Sequence, residues 1–192
     1  QAGMIDHPLP VALSHPNGIA AGPDGALWFT EFSGNKIGRM TAAGVLTEYA
    51  VPGTAPEVIA AAPDGALWFT EFDGPNIGRI TTAGVFTEIP IPTADSHSGI
   101  TRGPDGALWF TENHANKIGR ITMAGGFTEY GVPSTDSAPM AIAAGPDGAL
   151  WFTEYSANRV GRISTAGLVT EYTLPTANSA PYGITAGFDG AL

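Results

Sequence analysis

The hexapeptide Ala-Leu-Trp-Phe-Thr-Glu occurs four times in this chain, with its tryptophan at Trp28, Trp68, Trp109 and Trp151. The intervals are 40, 41 and 42 residues. A near-constant period of this size means that one supersecondary unit has been copied and must stack on its neighbours to bury a core. A fifth unit opens at Tyr182-Gly183-Ile184 and runs to Phe188-Asp189-Gly190-Ala191-Leu192, one residue short of where its tryptophan would fall.

Each unit reads as four short strands. The first is small and apolar, as in Gly18-Ile19-Ala20-Ala21. A Pro-Asp-Gly turn follows, in which proline presets φ and glycine takes positive φ. The second strand is Leu27-Trp28-Phe29-Thr30-Glu31, whose aromatic and β-branched residues suit a pleated surface. A Ser-Gly-Asn turn leads to Ile37-Gly38-Arg39-Met40, and Ala42-Ala43-Gly44 turns the chain into Val45-Leu46-Thr47-Glu48-Tyr49. No window of 11 residues carries a helical period.

Units of four strands repeating at this length are the blades of a β-propeller. The expected fold is all-β: one propeller domain over residues 1–192, with antiparallel blades at about 17–56, 57–97, 98–138 and 139–180 and partial units at 1–16 and 181–192. The first partial unit contains an expected outer strand, Ile5–Pro10. A ring closed on these units would leave one blade with open edges. The chain therefore reads as a segment of a longer propeller.

Composition narrows the function. With eight Lys and Arg against 18 Asp and Glu, the net charge is −10. Phosphate backbones and anionic membranes are recognised by clustered cations, which this chain lacks. A neutral or cationic ligand, or a metal ion, suits it better. The absence of cysteine excludes disulfides and thiolate metal sites. No apolar run is long enough to span a membrane as a helix. The chain begins with Gln1 without a preceding leader, which points to a processed or cut N-terminus.

Two sets of charges follow the repeat. The turn aspartate and third-strand arginine lie 15 residues apart in every unit: Asp24 and Arg39, Asp64 and Arg79, Asp105 and Arg120, Asp147 and Arg162. An antiparallel meander puts both at one end of the blade, where they are expected to pair and tie blades together. At the opposite end, strand two finishes at Glu31, Glu71, Glu112 and Glu154. Their regularity fits a structural role, accepting hydrogen bonds from the adjacent turn, with metal ligation as the alternative. The glutamates of the outer strands, Glu48, Glu88, Glu129 and Glu171, read as solvated.

Strand one starts at the same mouth, nearest the axis, at Asn17, Glu57, Ser98, Met140 and Tyr182. These positions vary from unit to unit, as a ligand surface does on a regular scaffold. His15 and His97 precede strand one closely enough to reach that mouth. All seven are candidate substrate-binding residues. No nucleophile elbow, phosphate loop or zinc-protease motif is present.

The segments Gly103–Glu112, Asn116–Thr122, Phe127–Tyr130 and Pro133, with Ser179–Thr185, resemble the repeat units of the streptogramin B (virginiamycin B) lyases. The resemblance implies a seven-bladed, monomeric, cytoplasmic enzyme. It implies opening of a cyclic depsipeptide antibiotic at its ester by elimination, with a histidine as base and a carboxylate-bound Mg²⁺ stabilising the developing charge. In that family the base stands between Pro and Gly-Ile, and a metal-binding glutamate lies two residues earlier. The matching base positions here are Asn17, Glu57, Ser98, Met140 and Tyr182, none of them histidine. The matching metal positions are His15, Ala55, Ser96, Ala138 and Ala180, none of them glutamate. No catalytic residue carries over. The expectation is a lyase-like segment without turnover of its own, set against a non-catalytic binding propeller or a sugar-lactone hydrolase of similar architecture.

Overall fold

The computed structural model describes residues 8–10, 13–53, 55–72, 74–93 and 97–192. Among these residues, sixteen strands form four separate antiparallel sheets. Blade 1 is β1 (Pro16–Ala21), β2 (Leu27–Glu31), β3 (Lys36–Met40) and β4 (Leu46–Ala50). Blade 2 is β5 (Pro56–Ala61), β6 (Ala66–Glu71), β7 (Asn76–Thr81) and β8 (Phe86–Pro90). Blade 3 is β9 (His97–Arg102), β10 (Leu108–Glu112), β11 (Lys117–Ile121) and β12 (Phe127–Gly131). Blade 4 is β13 (Pro139–Ala144), β14 (Leu150–Glu154), β15 (Arg159–Ile163) and β16 (Val169–Thr173). Each sheet follows chain order, so the repeat is an up-and-down meander. The first strands neighbour one another, β1 with β5, β5 with β9 and β9 with β13, and so line the hub of a propeller. In blades 1 to 3 they begin one residue before the boundaries read from the spacing. The outer strand expected at Ile5–Pro10 falls mostly outside the described residues.

The turns follow the sequence chemistry. Gly25, Gly65, Gly106 and Gly148 all have φ near +74° or +75° after Pro-Asp. The third-strand glycine has a different cause. A Cβ on Gly38, Gly78, Gly119 or Gly161 would overlap the ring of Phe29, Phe69, Phe110 or Phe152 on the neighbouring strand.

The core is the set of seams between blades. Trp28, Ile37 and Val51 of blade 1 pack on Ile59, Leu67, Phe69 and Ile80 of blade 2. Trp68, Ile77 and Ile91 meet Ile100, Leu108, Phe110 and Ile121 in the same way. Trp109, Ile118 and Val132 meet Ile142, Leu150, Phe152 and Ile163. Every blade thus has a tryptophan face and an isoleucine–leucine face. Ile19 is 64% exposed where its counterpart Ile59 is 4%, and Leu27 is 48% exposed where Leu67 is 0%. The difference is the preceding blade, which blade 1 does not have among the described residues.

The Asp–Arg pairs form in all four blades, at 2.6, 2.7, 2.8 and 2.6 Å. Each pair lies within one blade, so it locks a turn to its own third strand and does not tie blades together. The same aspartates accept the indole N–H of Trp28, Trp68, Trp109 and Trp151. Arg39, Arg120 and Arg162 also lie over the faces of Trp28, Trp109 and Trp151. Burial alone would raise the pKa of Asp24, Asp64 and Asp105, but these hydrogen bonds outweigh it and hold all three below the ordinary value.

Candidate functional site at the propeller hub

The hub face is built by a defect in the ladder. Between Pro16 and Ile19 of β1 the register against β2 slips, and the same bulge recurs at Pro56–Ile59, His97–Ile100 and Pro139–Ile142. A bulge takes one residue out of pairing and re-aims its side chain. Asn17, Glu57, Ser98 and Met140 all lie within these bulges.

The freed backbone groups are taken up by the threonine of the repeated hexapeptide. Gly18, Val58, Gly99 and Ala141 donate their N–H groups to the hydroxyls of Thr30, Thr70, Thr111 and Thr153, at 2.8, 3.1, 2.8 and 3.1 Å. Each hydroxyl then donates to the next blade. Thr30 bonds the Glu57 carbonyl at 2.7 Å, Thr70 the Ser98 carbonyl at 3.2 Å, Thr111 the Met140 carbonyl at 2.6 Å and Thr153 the Tyr182 carbonyl at 2.9 Å. Gly18 and Gly99 allow the strands to close up: a Cβ on Gly99 would lie 2.7 Å from the Met140 carbonyl oxygen. The residues at the mouth are therefore held by their main chain, from the blade before.

One cavity of about 210 Å³ is lined by Asn17, Glu57, Ser98, Met140 and Tyr182, with small apolar neighbours that include Val58, Ile100 and Ile142. A second hollow of about 310 Å³ lies between blades 1 and 2, lined by His15, Asn17, Glu57 and the edge-to-face rings of Phe32 and Phe72. Glu57 belongs to both. Its side chain is 6% exposed, its Oε2 has no hydrogen-bond partner, and burial pushes its pKa up to about 7.

The structure thus brings five of the seven expected substrate-binding residues to one cavity. His15 lies beside it, its Nδ1 at 2.8 Å from the Ser33 hydroxyl. His97 opens β9, and its side chain lies outside what is described.

The strand-two glutamates stand at the same end, paired in register with Pro16, Pro56, His97 and Pro139. None of them lines the hub cavity. Glu31 lies beside Gly34 and Ser14, and Glu71 beside Gly53 and Gly74. The expected hydrogen bonds from the adjacent turn do not form at Glu31 or Glu154, neither of whose carboxylate oxygens has a hydrogen-bond partner. Burial raises the pKa of Glu31, to which Glu48 adds, and burial with Glu88 takes Glu71 up to about 7. Burial and the Glu171 charge do the same to Glu154, also to about 7.

The outer glutamates are mostly not solvated. Glu48 pairs with Lys36, Glu129 with Lys117 and Thr93, and Glu171 with Arg159 and the Ser134 N–H. Only Glu88, whose blade carries Asn76 where the others carry a cation, stays exposed among these four.

Among the described residues no three His, Cys, Asp or Glu side chains converge as metal ligands. The four strand-two glutamates belong to separate blades, and Ala55, Ala138 and Ala180 offer no side-chain donor. The residues described do not make a Mg²⁺ site.

Comparison with known proteins agrees with the repeat chemistry. A virginiamycin B lyase from Bordetella parapertussis is 42% identical over 54 residues, 28% of this chain and 18% of that protein. A streptogramin B lyase structure superposes with a TM-score of 0.93 at 47% identity, covering 98% of this chain and 64% of that one. A catalytically inactive virginiamycin B lyase from Staphylococcus aureus, solved with quinupristin, gives a TM-score of 0.89 at 46% identity, covering 93% of this chain and 62% of that one. The chain therefore spans under two thirds of the length of these relatives. The virginiamycin B lyase family profile matches residues 1–192 without interruption, and the chain belongs to that family.

Proposed function

We propose that this chain forms the substrate-holding arc of a streptogramin B lyase, receiving a cyclic depsipeptide on its hub face. The observation that carries this reading is the convergence of the irregular residues. Asn17, Glu57, Ser98, Met140 and Tyr182 occupy a repeat position that changes chemistry in every unit, and they meet in a single cavity. The S. aureus relative solved with quinupristin supports the choice of ligand class.

The wall combines apolar contacts with a few hydrogen-bonding groups, as a site that holds a mixed apolar and amide ring requires. Asn17 and Ser98 can bond ring amides, and Met140 and Tyr182 can pack on its side chains. The strand carbonyls behind them are already committed to the threonine hydroxyls, so the arc is preorganised. Opening the ester by elimination needs a base on the proton α to a carbonyl and stabilisation of the charge that develops. No histidine stands at the matching hub positions, and no metal site forms among the described residues. In this reading both functions, with the Mg²⁺ of the family mechanism, come from other blades of a complete ring.

The test is to titrate quinupristin into the 192-residue chain carrying ¹³C-methyl methionine, and to follow the ring-opened product by mass. The expected result is a shift of the Met140 methyl without product. No shift overturns the hub as the ligand face. Ring opening by this chain overturns the assignment of the base to other blades.

A further inference from the structure

The five hub positions differ in one respect that the family relationship does not explain. Glu57 alone carries a formal charge, and with Ser98 it is the most enclosed polar group of the wall. Its Oε2 lies buried without a hydrogen-bond donor. Neither hollow that it lines contains a lysine or arginine. The groups facing it are Asn17 on β1, Ser98 on β9, Met140 on β13 and Tyr182 beyond blade 4, with His15, Phe32 and Phe72 on the blade 1–2 side. Of these, His15 and Tyr182 are the other titratable side chains, and the His15 ring is already engaged with Ser33. The strand-two glutamates are more deeply buried still and line neither hollow.

A carboxylate enclosed by apolar walls without a counter-ion is costly unless a ligand supplies one. Flanking aromatic rings add to the attraction of a cation, and the overall charge of −10 draws cations towards the molecule.

We propose that Glu57, at the junction of the hub cavity and the Phe32–Phe72 hollow, is a specificity-determining residue that selects ligands carrying a protonated amine beside an apolar or aromatic group. The inference rests on the hub as the ligand face. In this arrangement the ammonium group replaces the missing donor at Oε2, and the apolar portion lies against the paired rings of Phe32 and Phe72 in the second hollow. Protonating Glu57 removes the charge that recognises the amine, so binding weakens as the solution is acidified below about pH 7.

The probes are 2-phenylethylamine, which stays cationic between pH 5.5 and pH 8.5, and its uncharged analogue 2-phenylethanol. Each is titrated into the ¹³C-methyl-labelled chain while the Met140 signal is followed. The amine is expected to bind at least tenfold more tightly than the alcohol at pH 8.5, and to lose roughly tenfold in affinity by pH 5.5. Glu57→Gln is expected to abolish both differences while keeping a cooperative thermal transition, no lower at pH 8.5 than that of the parent chain. His15→Gln is expected to leave the pH profile in place. Equal affinity for amine and alcohol, or an amine affinity unchanged by Glu57→Gln, overturns the proposal. So does a pH dependence that disappears with His15→Gln. If quinupristin shifts Met140 and the amine does not, the cation preference falls and the hub reading stands. If neither does, both fall.

Discussion

The hydroxyl of Thr30 donates to the main-chain carbonyl of Glu57 at 2.7 Å, across the boundary between two blades. The same atom accepts the N–H of Gly18, which the bulge of β1 leaves unpaired. One buried side chain therefore closes a gap in its own sheet and fixes the position of a hub residue in the next. Four repetitions of this contact give the hub its geometry.

Replacing such a threonine tests the idea directly. Thr111→Val keeps the shape but strips the partners from the Gly99 N–H and the Met140 carbonyl. Leaving both unsatisfied is expected to cost about 2–3 kcal/mol, read from urea unfolding, with Thr111→Ser recovering most of it. Because Met140 moves with its carbonyl, its methyl resonance is expected to shift in the valine variant even where the fold survives.

The buried glutamates give an unusual dependence of stability on pH. Glu57, Glu71 and Glu154 titrate near 7 in the folded chain against an ordinary value near 4.5. A raised folded pKa means that the native state binds the proton more tightly. The stability it contributes is full below about 4.5 and is lost as pH rises towards 7. The carboxylates of Asp24, Asp64 and Asp105 work in the opposite sense, with stability lost as pH falls below their ordinary 3.8. The melting temperature is expected to peak on the acid side of neutrality. Glu71→Gln and Glu154→Gln are each expected to stabilise at pH 8, on the order of 2 kcal/mol, and to change little at pH 4.5. A melting temperature flat from pH 4.5 to 8 contradicts this.

Glycine in the third strand is a packing requirement. Gly78→Ala puts a methyl group into the Phe69 ring, which is itself wedged in the seam between blades 1 and 2. The ring cannot retreat without displacing Trp28 and Ile59. Expected destabilisation is about 3 kcal/mol, and Phe69→Leu in the same chain is expected to relieve part of it. Chemical denaturation of the single and double variants decides the point.

The Asp105–Arg120 pair reaches solvent over the fully buried Trp109, and its effect is correspondingly modest. Asp105→Ala is expected to cost about 1–2 kcal/mol, mostly through the indole N–H and the Ala107 N–H that lose their acceptor. A double-mutant cycle with Arg120→Ala is expected to show coupling below about 1 kcal/mol.

Much of this architecture was legible in the chain. The Trp-Phe spacing gave the blades, Pro-Asp-Gly gave the positive-φ turns, and antiparallel geometry placed Asn17, Glu57, Ser98, Met140 and Tyr182 at one mouth. What stayed hidden depended on which way a side chain turns. Thr30 and its repeats read as strand formers because a hydroxyl that bridges two blades has no local pattern. The clue was present in their strict recurrence beside the irregular strand-one position. Glu48, Glu129 and Glu171 read as solvated because their cations lie 12 residues away on an adjacent strand. Lys36, Lys117 and Arg159, at the start of strand three, were the available hint. The Asp–Arg pairs were correctly read within each unit, but their role was not: the aspartate also holds the indole N–H of its own blade, and the pair locks that blade's turn rather than joining two blades. The enclosure of Glu57 follows from the close approach of Gly18 to its backbone, a distance that no single unit encodes.

The unequal faces of each blade carry a last consequence. The tryptophan side of one wedge is the cast and the isoleucine–leucine side of the next is the mould, so stacking proceeds in one direction only. A copied wedge inserted at any seam would find both its surfaces already matched. Such an array can lengthen by duplication without redesigning its joints, and the chemistry at the centre can then diversify one wedge at a time.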